Sequence, residues 1–592
     1  MKKYIKLLAI GSLLAVLSSC HQPEYYVPEE GVVEDNGLGI ESITVVFPSG
    51  TKYADKELTV YNISDPEQTY FDIPIPYFYP EDKDETTHLF LTNLKLKLKL
   101  RPNWSVRSQS DKYNIVKIDL TEENKFWLIN PQGEKKEIII TGHVAKLKGC
   151  QIINFTLSEI FTSGVISEDK KEILIPSLDK LSGLHIKVQL SPHAQITKIG
   201  SEAYVEGKAY DFNDGQTITV QAHDENVQAV YTIKQGIPEL IPFGFSKSSV
   251  SEMFSVDPVT NLGFPSYLDL CYPSLACVGQ QLVANFANGT EPILINRYSG
   301  VKEGSLKLGS AVADGMTNDN KGNLIICNTA AYQETVNIYV TDDVEKEPVL
   351  FASFENPLDL SSGCTIGHRV KVFGDINSDA AIVFTSEGIV DVTTASRALV
   401  LNIRGGKVDG EPYIADFSAN SLGWGEFPVH AATVVPAGTN PQSDGYFLSY
   451  YQNNVDPAIT DDTADKYLLH YINKKGEDTW VDRMGNWADN TDCLAITKFN
   501  GINYLAFMSV AHFPGWGGAP KIRVYDCTTP SKTELYLSSE AQRSYSQIND
   551  SPVGACGDIC MIPSSDGFRL YIYYYDHNCH TLGGYVADCI KR

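Results

Sequence analysis

Tryptophans flanked by glycine are the residues of this chain best suited to chemistry. Trp424 stands in Gly423-Trp424-Gly425, Trp487 in Gly485-Asn486-Trp487, and Phe513 and Trp516 in His512-Phe513-Pro514-Gly515-Trp516-Gly517-Gly518. An indole between glycines is sterically open. Its apolar face can lie against the C–H face of a pyranose while nearby polar groups hold the hydroxyls. Tyr332 and Tyr545 fall in loops of comparable position. The competing role for each ring is a wedge inside a core, so the reading depends on whether the fold gathers them on one face.

Ionisable residues form weaker patterns. His577, Cys579 and His580 in Asp576-His577-Asn578-Cys579-His580 are zinc-ligand types, but a fourth ligand is not apparent and the spacing fits a polar loop better. Asp375-Ile376-Asn377-Ser378-Asp379 opens like a calcium loop. Position six is Ala380 instead of glycine, however, and Ser386 stands where the bidentate glutamate belongs, so a tight turn is expected. Asp314, His368, His430, Asp492 and Asp558 fall near the starts of expected inner strands and could line a funnel. Glycosidase or lyase chemistry there would need paired carboxylates at a defined separation, or a base matched to a cation. No nucleophile elbow, phosphate loop or dinucleotide fingerprint occurs. No catalytic residue, cofactor or metal is therefore assigned.

The elements that must position these residues are strands. With 592 residues the chain exceeds a single core, and its 32 tyrosines, 24 phenylalanines, 45 glycines and 29 prolines suit short strands between turns. From about residue 280 a pattern recurs at roughly 60-residue intervals. Second-strand candidates are Gln281 to Phe286, Asn323 to Cys327, Ala381 to Phe384, Gly445 to Tyr450, Asn503 to Phe507 and Arg569 to Tyr573. Third strands follow at Ile293 to Ile295, Val336 to Val340, Ala398 to Leu401, Tyr467 to Tyr471, Ile522 to Tyr525 and Gly584 to Val586. Repeated four-stranded units are the signature of a β-propeller, here with six blades. The chain ends after the third strand of the last unit. The missing fourth can come from Leu240 to Phe245 or from Met253 to Val256, which would lock the ring. In such a blade the loop between strands two and three shares a face with the crossing to the next blade, so three of the six tryptophans converge on one face.

Upstream, Leu94-Lys95-Leu96-Lys97-Leu98-Lys99-Leu100 alternates strictly, with leucines for a core and lysines for solvent. Strands are also expected at Ile173 to Ile175, Ile186 to Leu190, Ile218 to Val220 and Val230 to Ile233, separated by turns such as Asn213-Asp214-Gly215. This stretch resembles the immunoglobulin-like modules of Bacteroidota surface lipoproteins, through Ser191-Pro192-His193-Ala194 as a strand motif, Tyr210-Asp211-Phe212 and Tyr231-Thr232-Ile233. In that family such modules are spacers.

At the N-terminus, Lys2, Lys3 and Lys6 precede an apolar run from Leu7 to Leu17 that is too short to span a bilayer. The run ends in Leu17-Ser18-Ser19-Cys20, which resembles a bacterial lipoprotein signal whose cysteine, Cys20, becomes the acylated first residue. The expected fold class is all-β, with two N-terminal immunoglobulin-like β-sandwich domains and a C-terminal six-bladed β-propeller. The layout is a leader over 1–19, a tether over 20–36, a β-sandwich over 37–148, an immunoglobulin-like domain over 149–236 and the propeller over 237–592.

The formal charge of −25 opposes nucleic acid and anionic membrane surfaces, but is no obstacle to neutral sugar. Twelve cysteines leave an odd number once Cys20 is set aside, and Cys327 and Cys527 lie in apolar runs, so most are expected to be core residues. Taken together, anchor, tether, spacers and distal β-domain resemble the surface glycan-binding lipoproteins of Bacteroidota polysaccharide-utilisation systems. The resemblance implies a protein lipid-anchored at the outer membrane and exposed at the cell surface. It would bind polysaccharide or oligosaccharide through Trp424, Trp487, Phe513, Trp516, Tyr332 and Tyr545, and partner an outer-membrane importer complex. The acidic cluster that often follows the cysteine in that family is scattered here, as Glu24 and Glu29-Glu30. A protein-binding adhesin or assembly lipoprotein and a propeller glycosidase or lyase are the alternatives.

Overall fold

The computed structural model describes residues 39–591 except 49, 51, 66, 80–90, 109–115, 179, 267–270, 360–363, 388–395, 419–431, 451–467, 484–488, 512–520 and 541–555. The protein is all-β. Among the described residues helix is confined to single turns such as Pro258–Leu262 and Pro441–Asp444. Cys20 lies outside the described residues.

Two compact units divide the chain, the first running to Gly149 and including Pro192–Ala194 and Ala222–Val227. Two four-stranded sheets build it. One carries Glu57–Asn62, Ile40–Val46, Leu94–Leu100 and Val116–Ile118 in that order, and the other Tyr70–Pro76, Lys135–Ala145, Asn124–Ile129 and Ser105–Ser108. Period-two alternation turns Ile43, Val45, Leu94 and Leu96 toward Phe71, Ile73, Leu128 and Ile140, which form one core. The lysine face of Leu94–Leu100 is solvated, with Lys95 paired to Asp55 at 2.7 Å and Lys99 to Glu41 at 2.8 Å.

The second unit comprises Cys150–Ser191, Gln195–Gln221 and Gln228–Arg592. Its first part has a three-stranded sheet of Thr162–Ser163, Ile152–Leu157 and Ile186–Leu190. A six-stranded sheet beside it includes Glu172–Ile175, Gln228–Gln235 and Thr217–Gln221. All four strands expected in this stretch form. The segment Ser191-Pro192-His193-Ala194 does not: it is a turn, with His193 at φ 60°, because Pro192 lacks the amide a central strand would need.

Six sheets follow, each a meander in which consecutive strands pair. Each has four strands except the third, where Lys407–Val408 and Tyr413–Asp416 both pair with Arg397–Arg404. Their first strands are Ser274–Val278, Gly315–Asn318, Thr365–Gly374, Ala432–Pro436, Asp489–Phe499 and Gly557–Pro563. Every apolar run expected as a second or third strand is one. In the sixth sheet the strand beyond Thr581–Asp588 is Ser251–Val256, paired antiparallel with Ser255 opposite Gly583, so the chain's own upstream segment completes its last sheet. Of the two candidates, Met253 to Val256 takes this place, while Leu240 makes an isolated bridge with Ile590.

Neighbouring sheets share apolar layers. Val283 and Leu294 of the first meet Met316 and Ile326 of the second, Ile325 and Ile338 meet Val370 and Ile382, and Val383 and Val400 meet Val434 and Leu448. Phe447 and Leu469 then meet Leu494 and Leu505, and Ala506 and Val524 meet Met561 and Ile572. The order returns to its start where Tyr573 and Leu582 of the sixth sheet meet Cys277 and Leu282 of the first. Nine of the eleven cysteines after Cys20 are buried, in keeping with their expected place in the core.

Candidate functional site

The crossings between sheets and the loops joining second to third strands lie at the same end of the meanders, here called the upper end. Trp424, Trp487, Phe513, Trp516 and Tyr545 belong to such segments and lie outside the described residues. Tyr332 is described: it sits between Leu324–Cys327 and Thr335–Thr341 and is 43% exposed. Its loop is held firmly. Asp314 accepts from the Thr329 amide at 2.7 Å and hydroxyl at 2.9 Å, and Asn356 Nδ2 donates to the Ala330 and Ala331 carbonyls. An isolated bridge joins Ala330 to Ile366 in the third sheet's first strand.

That strand carries the most concentrated polar group at this end. Between Ile366 and Val370 the pairing with Ala380–Glu387 slips, so Gly367, His368 and Arg369 form a bulge that re-aims their side chains. Only glycine suits position 367, which has φ 124° and where a Cβ would meet the Asn328 carbonyl at 2.4 Å. The bulge sets His368 parallel to Tyr272, ring centroids 3.9 Å apart and planes 7° apart, and brings its Nδ1 to 3.1 Å from Glu387. Burial, and next the Glu387 charge, push the Tyr272 phenol up, so it remains a neutral donor and acceptor. The stack covers the inner face of each ring, so only an outer face and the Glu387 carboxylate are left to meet a ligand.

Arg369 and Lys371, next along the strand, point across to the sixth sheet's first strand. Asp558 meets Arg369 Nη1 at 3.1 Å and Lys371 Nζ at 2.6 Å, while its other oxygen accepts from the Leu275 amide at 2.9 Å. All three side chains are buried. Asp558 thus joins a buried ion group, Asp314 braces a loop and His368 stacks on Tyr272. His430 lies outside the described residues, and of Asp492 only the backbone is described.

The two candidate metal loops resolve differently. Asp375 to Asp379 is a hairpin turn, with the Asp375 amide on the Asp379 carbonyl and the Asn377 amide on the Asp375 carboxylate. In the Asp576–His580 loop His577 is buried and bonds Tyr575 through Nδ1, while Cys579 and His580 are half-buried and join no metal-ligand group among the described residues.

At the opposite end, the turns between first and second strands enclose a cavity of about 610 Å³. Arg297, Lys321, Lys498 and Arg569 contribute charge and Tyr298 and Tyr571 aromatic surface, with Thr162 and Ser177 completing the wall. Arg297 lies 4.2 Å over the Tyr571 ring and donates to the Gly279 carbonyl at 2.6 Å; Arg569 donates to the Pro176 carbonyl at 3.0 Å. Sequence reasoning missed this cavity, because nothing in local spacing tells that residues near 162 and 177 meet turns of the six sheets.

The family model described as domain of unknown function (DUF5018) matches residues 15–142. No curated protein matches the chain. Among solved structures, a DUF4623 family protein from Bacteroides eggerthii is similar at 16% identity and TM-score 0.39, covering 75% of this chain and 99% of its own. A neuraminidase-like protein of a flat-faced bat strain from Peru aligns at 9% identity and TM-score 0.31, over 60% of this chain and 98% of its own. Virginiamycin B lyase from Staphylococcus aureus aligns at 13% and 0.27, over 57% and 99%. The model described as domain of unknown function (DUF8500) matches residues 252–588, within the bounds of the paired strands Ser251–Val256 and Thr581–Asp588. That match spans more than half of the chain, which therefore belongs to the DUF8500 family.

Proposed function

We propose that the six sheets form a six-bladed β-propeller that binds polysaccharide or oligosaccharide at its upper end, on a protein lipid-anchored through Cys20 and exposed at the cell surface. The cyclic order of apolar layers and the completion of the sixth sheet by Ser251–Val256 support the propeller. The observation that carries the binding role is Tyr332, 43% exposed on a braced loop whose bridge to Ile366 ties it to the strand bearing His368. The bridge partner Ile366 lies two residues before His368, which stacks on Tyr272. The glycine-flanked Trp424, Trp487 and Trp516, expected from the sequence in crossing or second-to-third loops, are the further aromatic contacts of this reading. Glycan held there would pass to an outer-membrane importer complex.

Affinity electrophoresis in gels containing soluble polysaccharides tests this reading. The native chain is retarded by at least one polymer, and Tyr332→Ala weakens that retardation about tenfold, the loss of one stacking contact. Undiminished retardation of the variant would remove Tyr332 from the site. No retardation by any polymer would favour a protein partner.

A further inference from the structure

We infer that Cys271, Cys556 and His577 form a zinc site at the seam between the first and last of the six sheets. The Sγ atoms of Cys271 and Cys556 are 3.9 Å apart, and Cys271 Sγ is 3.6 Å from His577 Nε2; all three ligand atoms lie within 4.8 Å of one another. Zinc bonds of about 2.3 Å to sulfur and 2.0–2.1 Å to nitrogen, at tetrahedral angles, demand edges of about 3.8 Å between sulfurs and 3.6 Å between sulfur and nitrogen. Both observed edges fit. A disulfide would need the sulfurs at about 2.0 Å.

The surroundings suit a metal in three further ways. His577 Nδ1 bonds the Tyr575 hydroxyl, the outer contact that orients a ligand imidazole and turns Nε2 toward the sulfurs. All three side chains are at most 1% exposed, and two thiolates with Zn²⁺ sum to zero charge, which an apolar interior tolerates. The backbone fixes the ligands, since the His577 amide donates to the Cys556 carbonyl at 3.0 Å beyond the last pair of the sixth sheet, and the Tyr272 amide to Phe286 at 2.8 Å in the first. A nearby contrast marks the site off from ordinary thiol packing. Cys277 and Cys560 also approach to 4.0 Å, but no imidazole accompanies them in a metal-ligand group among the described residues. Two thiolates and one imidazole select zinc over harder cations, and three protein ligands leave a fourth position for water or a small anion. Cys271 leads into the first sheet while Cys556 and His577 flank strands of the last, so the ion would staple the two together.

The test uses the mature chain from residue 20 onward, purified without chelator and equilibrated with zinc sulfate, and reads metal by mass spectrometry. One zinc per chain is expected, lost in Cys271→Ser and in His577→Gln and kept in the control Cys277→Ser. Cobalt in place of zinc should give thiolate-to-cobalt charge-transfer absorption in the native chain. This readout does not depend on any variant folding. Chelation should lower the thermal midpoint of the native chain by several degrees and leave Cys271→Ser unmoved. Native protein that takes up neither zinc nor cobalt, zinc retained by both variants, or a Cys271–Cys556 disulfide found by non-reducing peptide mapping would each overturn the site.

Discussion

Asp558 shows what single residues do in the interior of the second unit. Its carboxylate is the shared partner of Arg369 and Lys371, all three buried. Taking ions out of water is costly, and removing the carboxylate that Arg369 and Lys371 share takes that partner from two buried cations. Asp558→Asn should therefore cost about 3–5 kcal/mol, read as a fall in the urea midpoint at unchanged slope. A loss below about 1 kcal/mol would show that water reaches the group. Combining Arg369→Met, Lys371→Met and Asp558→Leu in one chain should recover much of the loss, because no charge stays behind. None of this was legible in sequence. Asp558 could be placed near the start of an inner strand, but its partners lie nearly two hundred positions away and face it only because separate sheets meet. His577 was singled out as a zinc-ligand type, but with Cys579 and His580 and not with Cys271 and Cys556, which lie far off in sequence, whereas the turn at Asp375 to Asp379 was readable because its bonds are local.

Strands were the readable elements. Leu94–Leu100 alternates because one face packs on the core and the other meets water, and the six second strands are largely apolar because apolar layers cover both of their faces. Completion of the last sheet was readable too, since an incomplete unit requires a strand from elsewhere, and Ser251–Val256 provides it. Phe254 anchors that strand, 8% exposed beside Tyr573 and packed so closely that a Cβ on Gly300 would lie 2.5 Å from its ring. Phe254→Ala should cost about 3–5 kcal/mol and increase hydrogen exchange first along Thr581–Asp588. Exchange that rises evenly across all six sheets would mean that the closing strand is not a separate point of opening. Ser191 to Ala194 shows where the element reading failed: a family-like motif outweighed Pro192, whose missing amide made the turn.

At the scale of the whole molecule, a loose repeat says how many sheets there are and which end each loop occupies. It does not give the distances between side chains, which depend on sheet twist and on bulges such as the one at Gly367. Hence loop positions say which end of the sheets a residue such as Tyr332 occupies, while the Tyr272–His368–Glu387 group and the opposite cavity could not be foreseen. On the proposed reading, an acidic chain with a half-buried aromatic and carboxylate group and an exposed Tyr332 suits neutral sugar better than polyanions. Isothermal titration of the chain from residue 20 onward against a panel of soluble polysaccharides, beside a folded variant with Trp424, Trp487 and Trp516 changed to Ala, tests this most directly. Saturable heat with at least one neutral polysaccharide, abolished in the variant, is the predicted result. Binding that survives the three substitutions, or no heat from the native chain across the panel, would contradict a glycan site at the upper end.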